Sequence, residues 1–229
     1  MEYRIQYAPV FTVVEFSLNE NEEVIAQPDS MISMTAGIRI SASVGRPGAG
    51  KKWWSGVKSM LGGESFFRAV FSAKRDGQTV LLAPASYGEI VPIDVASSGN
   101  MFLARGAFLA HTGDCLVDVK YGGLKGMMAK TGLFLLHVSG GGTLFCQTYG
   151  SIVERTLEPD EQFLVDNRHV VAFSETVKYE LVKSSTNIRD SMMSGEGFIN
   201  RYTGPGKVLY QTRAKPSVGF LGYIFNAMT

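Results

Sequence analysis

The sequence predicts an all-β protein assembled from three internally repeated units, and three observations carry that prediction. Apolar residues alternate with small or polar ones at a period of two, the pattern of half-buried strands. Gly-rich clusters punctuate these runs at the spacing of turns. The same kinds of segment also return in the same order along the 229 residues.

The first unit spans residues 1–86. It carries "VVEFSLNENEEV" from Val13, then "MISMTAGIRI" from Met31. In the latter, Ile32, Met34, Ala36, Ile38 and Ile40 alternate with Ser33, Thr35, Gly37, Arg39 and Ser41, which puts one face of a strand on a core. A Gly/Lys/Trp insertion follows at 45–56, then a short helical piece "VKSMLGGE" at 57–64, then "GESFF" from Gly63 and the closing "DGQTVLLA". The second unit, 87–148, opens on "YGEIV" and continues with "FLAHTGDCLV" from Phe108. Cys115, Val117, Val119 and Tyr121 alternate there with Leu116, Asp118 and Lys120. Its helical piece is "LKGMMAKT" at 124–131, and it closes on "GGTLFCQT". The third unit, 149–213, opens on "YGSIV". Its "IVERTLEPDEQF" from Ile152 sets Glu154 on Glu15 and Glu161 on Glu22. "VVAFSETVKY" from Val170, a helical piece at 188–196, "GEGFI" from Gly195 and "PGKVLYQT" complete it. The clusters "RDGQ", "SGGG" and "TGPGK" read as hairpin turns between successive strands. Residues 214–229 form an apolar tail.

Composition narrows the function. Hydrophobic residues make up 45% and charged residues 19%, a chain able to bury a core. A net charge of +1 gives no bulk attraction to nucleic acid or anionic lipid. Cys115 and Cys146 sit in apolar runs without metal-ligand spacing and read as buried thiols in a reducing compartment; a bridge between them is the alternative. The start "MEYRIQYAPV" has neither basic flank nor apolar stretch of a secretory signal, and no apolar run reaches bilayer length. The expected location is the cytoplasm, in solution or against a membrane surface.

The stretch "GRPGAGK", Gly45 to Lys51, has the G-x-x-x-x-G-K spacing of a phosphate-binding loop. The next residue is Lys52, where a magnesium-ligating hydroxyl is required, and no βαβ alternation surrounds it. Nucleotide hydrolysis is therefore rejected. Lys51, Lys52, Trp53 and Trp54 instead pair cations with large aromatics, which suits a lipid headgroup interface or a phosphate backbone; the plainer reading, which is preferred, has the tryptophans cap the barrel or pack at a subunit contact. The tail contributes Phe220, Leu221, Tyr223 and Phe225, too much apolar surface to leave in water. It should dock on the barrel, a neighbouring subunit or a membrane. His111, His137 and His169 show no metal spacing, and His111 takes the repeat position of Met34 and Phe173. No catalytic residue, metal or other cofactor is expected. The paired glutamates read as solvated strand-end or inter-unit contacts.

The runs "GGESFF", "YGEIVPIDV", "GAFLAHTGDCLVDVKYGGLKGMM", "GLFLLHVSGGGTLFCQTYGSI", "FLVDNRHVVAFSETVKYEL" and "GEGFINRYTGPGKVLYQTR" resemble the family named for altered inheritance of mitochondria, over Phe11 to Arg213. The resemblance implies a fold like the tryptophan RNA-binding attenuation protein. Each chain would hold three short double-stranded β-helix units in pseudo-threefold arrangement, and chains would join as homotrimers. It offers no defined catalytic residues to carry over, and RNA binding does not transfer with a fold.

The expected function is a non-catalytic, homotrimeric scaffold or binding platform meeting a membrane or protein partner. Two rivals stand beside it: a ring binding nucleic acid or a small ligand, and a cupin-like metal enzyme. The strand faces lack a repeated basic–aromatic edge, which argues against nucleic acid; the histidine pattern argues against the metal enzyme. No small-molecule substrate is indicated.

Overall fold

The computed structural model describes residues 1–44, 67–120, 135–183 and 198–214. The insertion at 45–56 and the three predicted helical pieces lie outside these residues. The described fold is nearly all β. The first stretch holds β1 (Glu2–Gln6), β2 (Val13–Leu18), β3 (Glu23–Ala26), β4 (Met31–Met34), β5 (Ile38–Val44), β6 (Phe67–Ala73) and β7 (Gln78–Leu82). Next come β8 (Ile90–Asp94), β9 (Met101–Ala104), β10 (Phe108–Thr112), β11 (Cys115–Lys120), β12 (Leu135–Gly140) and β13 (Thr143–Gln147). The last are β14 (Ile152–Leu157), β15 (Gln162–Asp166), β16 (Val170–Ser174), β17 (Lys178–Lys183), β18 (Phe198–Thr203) and β19 (Gly206–Gln211). One turn of helix, α1 (Val95–Ser98), is started by Asp94, whose carboxylate accepts from Ala96 N at 3.2 Å.

The strands form four antiparallel sheets, ordered β1-β2-β7-β4, β5-β6-β3-β10-β13-β8, β11-β12-β9-β16-β19-β14 and β15-β18-β17. Three apolar clusters lie between them. Val14, Phe16, Val80 and Leu82 of the first sheet meet Val24, Phe71 and Phe145 of the second. Leu144 and Cys146 on the other face of the second sheet meet Leu103, Val117 and Val138 of the third. Leu157, Phe173 and Val208 on the far face of the third meet Val165 and Tyr202 of the fourth. The two six-stranded sheets are thus buried on both faces, which is why β10 is buried along its whole length.

Two expectations fail here. The clusters "RDGQ", "SGGG" and "TGPGK" do not close hairpins: β6 and β7, β12 and β13, β18 and β19 fall in different sheets. They are corners that carry the chain across a core from one sheet to the next. Left-handed glycines make this passage, Gly77 at φ 68° and Gly142 at φ 81°, and a Cβ on Gly142 would collide with Thr112 O. The sequence signal of a tight turn is the same for a hairpin and for such a corner; only pairing separates them. The second failure is the strand from Met31. Ile38 is buried, but Met31, Ile32, Met34 and Ile40 are exposed. Every residue of β4 is exposed, because it is the outer strand of the first sheet.

Candidate functional site

Lys51, Lys52, Trp53, Trp54, Phe220, Leu221, Tyr223 and Phe225 all lie outside the described residues. So does the near phosphate-binding loop from Gly45 to Lys51. Several of the remaining chemistry-bearing residues have structural partners. His169 Nδ1 donates to Gln211 O at 2.7 Å. His137 Nε2 lies 3.0 Å from Glu175 Oε1, and Asn100 Nδ2 donates to Glu175 Oε2 at 2.9 Å. Glu22 and Glu161 each close the turn before their strand: Asn19 N donates to Glu22 Oε2 at 2.7 Å and Glu158 N to Glu161 Oε2 at 2.9 Å. The Glu22 carboxyl is held below its ordinary range by the N-terminal ammonium and then by Asn19 N; Arg155 does the same for Glu161. Glu15 accepts from Gln6 Nε2 at 3.1 Å and Glu154 pairs with Lys207 at 2.7 Å. Glu22 and Glu161 are therefore strand-end contacts, whereas Glu15 and Glu154 lie inside β2 and β14 and make cross-strand contacts. Among the described residues no group of three or more His, Cys, Asp or Glu is arranged to hold a metal.

His111 differs from the other histidines. It is 1% exposed, and neither ring nitrogen has a hydrogen-bond partner among the described residues. Burial, and after it the Arg68 charge, pushes its pKa down to about 4. Arg68 is itself buried and donates from Nη1 to Val117 O at 3.2 Å, tying β6 to the outer strand β11 across the core. Cys115 and Cys146 are free and buried. Burial pushes the Cys115 thiol up to about 12, and burial and then Cys115 push Cys146 further in the same direction. Neither is a nucleophile at neutral pH.

The recurring "QT" pair is a staple that sequence reading treated only as a repeat marker. Gln147 Oε1 accepts from Ala85 N at 3.1 Å, while its Nε2 donates to Gln27 Oε1 at 2.6 Å and to Gly106 O and Phe108 O at 3.1 Å. Gln211 Oε1 accepts from Tyr149 N at 2.8 Å and its Nε2 donates to Arg168 O at 3.0 Å. Thr148 and Thr212 then accept from Glu89 N and Ser151 N, both at 3.0 Å. Each pair thus fastens the end of one set of strands to the start of a set.

Two exposed features bear on association. One is the pair of sheet edges at β4 and β15, where backbone groups and apolar side chains face outward together; Leu164 on β15 is 55% exposed. The other is an aromatic line. Phe11 bridges in parallel to Gly88, and Gly88 to Gly150. Gly88 N donates to Val10 O at 2.9 Å, Gly150 N to Tyr87 O at 3.0 Å, and Arg213 N to Tyr149 O at 3.2 Å. Phe11 and Tyr87, each 68% exposed, meet edge-to-face at 5.7 Å. Open strand edges and exposed aromatic surface are features on which another surface can pair or pack. No helix among the described residues is long and apolar enough to cross a membrane.

Comparison with known proteins finds relatives that are themselves uncharacterised. An uncharacterised protein of Streptococcus pyogenes serotype M6 is 30% identical over 216 residues, 93% of this chain and 86% of that protein. A Streptococcus pyogenes protein whose crystal structure was a structural-genomics target superposes with a TM-score of 0.73 at 27% identity, covering 99% of both chains. The family model described as mitochondrial biogenesis AIM24 matches residues 3–213, and the chain therefore belongs to the AIM24 family.

Proposed function

We propose that the protein is a non-catalytic β scaffold, or binding platform, whose chains join edge to edge into a homotrimeric ring. Each chain would contribute three short double-stranded β-helix units, at 1–86, 87–148 and 149–213. The recurrence of one pairing order supports the triplication: β2-β7-β4, β8-β13-β10 and β14-β19-β16 on one side, β5-β6-β3, β11-β12-β9 and β17-β18-β15 on the other. Units join where β3 pairs β10 and β9 pairs β16. By the same rule β15 seeks a strand equivalent to β10 and β16, and that strand is β4.

The single observation that carries the ring is that β4 and β15, each paired on one side only among the described residues, are outer strands of different sheets. Their register follows from the internal joints. His111 pairs Ile25 and Phe173 pairs Phe102. Leu164 stands opposite Arg201 as Ile25 does Val70 and Phe102 does His137; Met34 stands opposite Val80 as His111 does Leu144 and Phe173 does Val208. Leu164 of one chain would therefore meet Met34 of the next, with Val165 against Ser33. Burying each large apolar side chain contributes about 1.5–3 kcal/mol, and the backbone ladder fixes the direction. Closure at three chains is what the resemblance to the altered-inheritance-of-mitochondria family implies. The surface left for a membrane or protein partner would include the Lys51–Trp54 insertion.

Mass measurement in solution tests this. The wild type should run at three times the chain mass and Leu164→Glu at the chain mass, with a strand-rich circular dichroism spectrum retained because Leu164 is exposed within one chain. A monomeric wild type, or a Leu164→Glu oligomer of unchanged mass, would overturn the ring.

A further inference from the structure

We propose that the outer edge of β14 is a docking site for an extended peptide segment of a partner protein, which adds a strand to the third sheet and carries a basic residue between an aromatic and an aliphatic one. The chain itself supplies the template. β2, β8 and β14 hold the same place in the three units, each with a closing strand, β7, β13 or β19, on one side. What lies on the other side differs. β2 carries β1, an added antiparallel strand with no counterpart among the described residues of the other two units. β8 contains Pro92. β14 ends its sheet, and its run from Ile152 to Leu157 contains no proline.

Main-chain directions show that this edge can pair. Thr212 N donates to Ser151 O, so Ser151, Val153, Arg155 and Leu157 turn their backbone groups toward β19. Ile152, Glu154 and Thr156 turn theirs outward, and Ile152 N donates to Glu89 Oε2 at 2.9 Å instead of to a strand. By the same alternation Pro92, which takes the place of Glu154, stands where β8 would offer an outward N–H and has none to offer. Of the three equivalent edges, one is filled, one is blunted and one is open. The register of β1 on β2 states what would fit the open one. Arg4 stands opposite Glu15, Tyr3 opposite Phe16 and Ile5 opposite Val14, and the Tyr3 ring closes over Phe16 and Phe145 with centroids 6.5 and 4.8 Å away. On β14, Glu154 repeats Glu15; Lys207 holds it from the β19 side, and an incoming basic residue would hold it from the other. Arg155 takes the place of Phe16. One face of its guanidinium lies 4.5 Å over the Phe163 ring and the side chain is exposed, so an aromatic residue in the position of Tyr3 stacks on the open face. Val153 receives the aliphatic residue. The proposed ring uses β4 and β15, so the β14 edge stays available whether or not chains close.

The test adds a fluorescein-labelled peptide EYRIQY, the sequence of residues 2–7, to the full chain, in which the tethered β1 keeps β2 filled. Fluorescence anisotropy should show saturable binding. Glu154→Pro copies the proline of β8 and should weaken that binding at least about tenfold, with an unchanged circular dichroism spectrum because the ladder to β19 does not use this N–H. The same peptide N-methylated at its arginine, which removes a main-chain donor, should also bind at least about tenfold more weakly. A measurement that needs no variant is amide hydrogen exchange: bound peptide should slow exchange at Glu154 and Thr156 and leave the amides of β1 and β2 unchanged. Absence of saturable binding to the wild type, binding unchanged by Glu154→Pro or by N-methylation, or slowed exchange at β2 or β4 instead of β14 would each overturn the proposal.

Discussion

Replacing His111 by leucine, a side chain of similar volume, should make the protein more stable and less sensitive to acid. His111 is 1% exposed with both ring nitrogens unpartnered among the described residues, so the wild type carries the desolvation cost of a polar group, about 1–3 kcal/mol, that leucine lacks. Its pKa is about 4 in the folded chain against 6.5 for an ordinary histidine, with burial as the main cause and Arg68 second. A folded-state pKa below the unfolded one means that the unfolded chain binds the proton first. Stability from this group is full above about pH 6.5 and is lost as the pH falls toward 4. Each unit of difference is worth about 1.4 kcal/mol, so the wild type loses about 3 kcal/mol from this residue between pH 7 and pH 4. Urea unfolding of wild type and His111→Leu, at one protein concentration and a series of pH values, reads both effects. Carboxylates titrate in the same window in both proteins and cancel in the difference. The variant should be ahead by about 1–2 kcal/mol at pH 7, and its lead should widen steadily below pH 6.5. Two stability curves running parallel from pH 7 to pH 4 would refute the reasoning, because they would mean that His111 carries a proton in the fold as readily as in the unfolded chain.

Gln147→Ala removes the side chain that ties Ala85 N, Gln27, Gly106 O and Phe108 O together, leaving buried backbone groups unpaired; a loss of about 2–4 kcal/mol in chemical denaturation is expected. Cys115 and Cys146 should be silent to a thiol-reactive chromophore at pH 8 in the native protein, and both should react within minutes once the chain is unfolded in guanidinium.

Much of the architecture was legible because it rests on local signals. The alternation at Cys115, Val117 and Val119 marks a strand whatever that strand pairs with, and Cys115 and Val117 are indeed buried. The "QT" recurrence at Gln147 and Gln211 was visible as text, but its role was not. A glutamine that staples a junction reads the same as a glutamine in water until the carbonyls it reaches, 39 to 43 residues away in sequence, are brought beside it. The glutamates Glu22 and Glu161 were read as strand-end contacts, and their partners, three residues back, were close enough for that reading to hold.

The amino-acid order alone was enough for the strand class and the family, and it suggested the segmentation, since period, turn residues and recurrence are properties of neighbouring positions. It left open which strands share a sheet. The "SGGG" corner satisfies the same backbone demands as a hairpin turn, and the choice between them lies with distant strands that compete for each edge. Ile32 and Ile38 follow one alternation, yet one is exposed and the other buried, because Ile38 has a second sheet over it and β4 ends its own. Burial is a relation between surfaces that sequence distance does not encode, so the open edges at β4 and β15 exist only once the chain has folded.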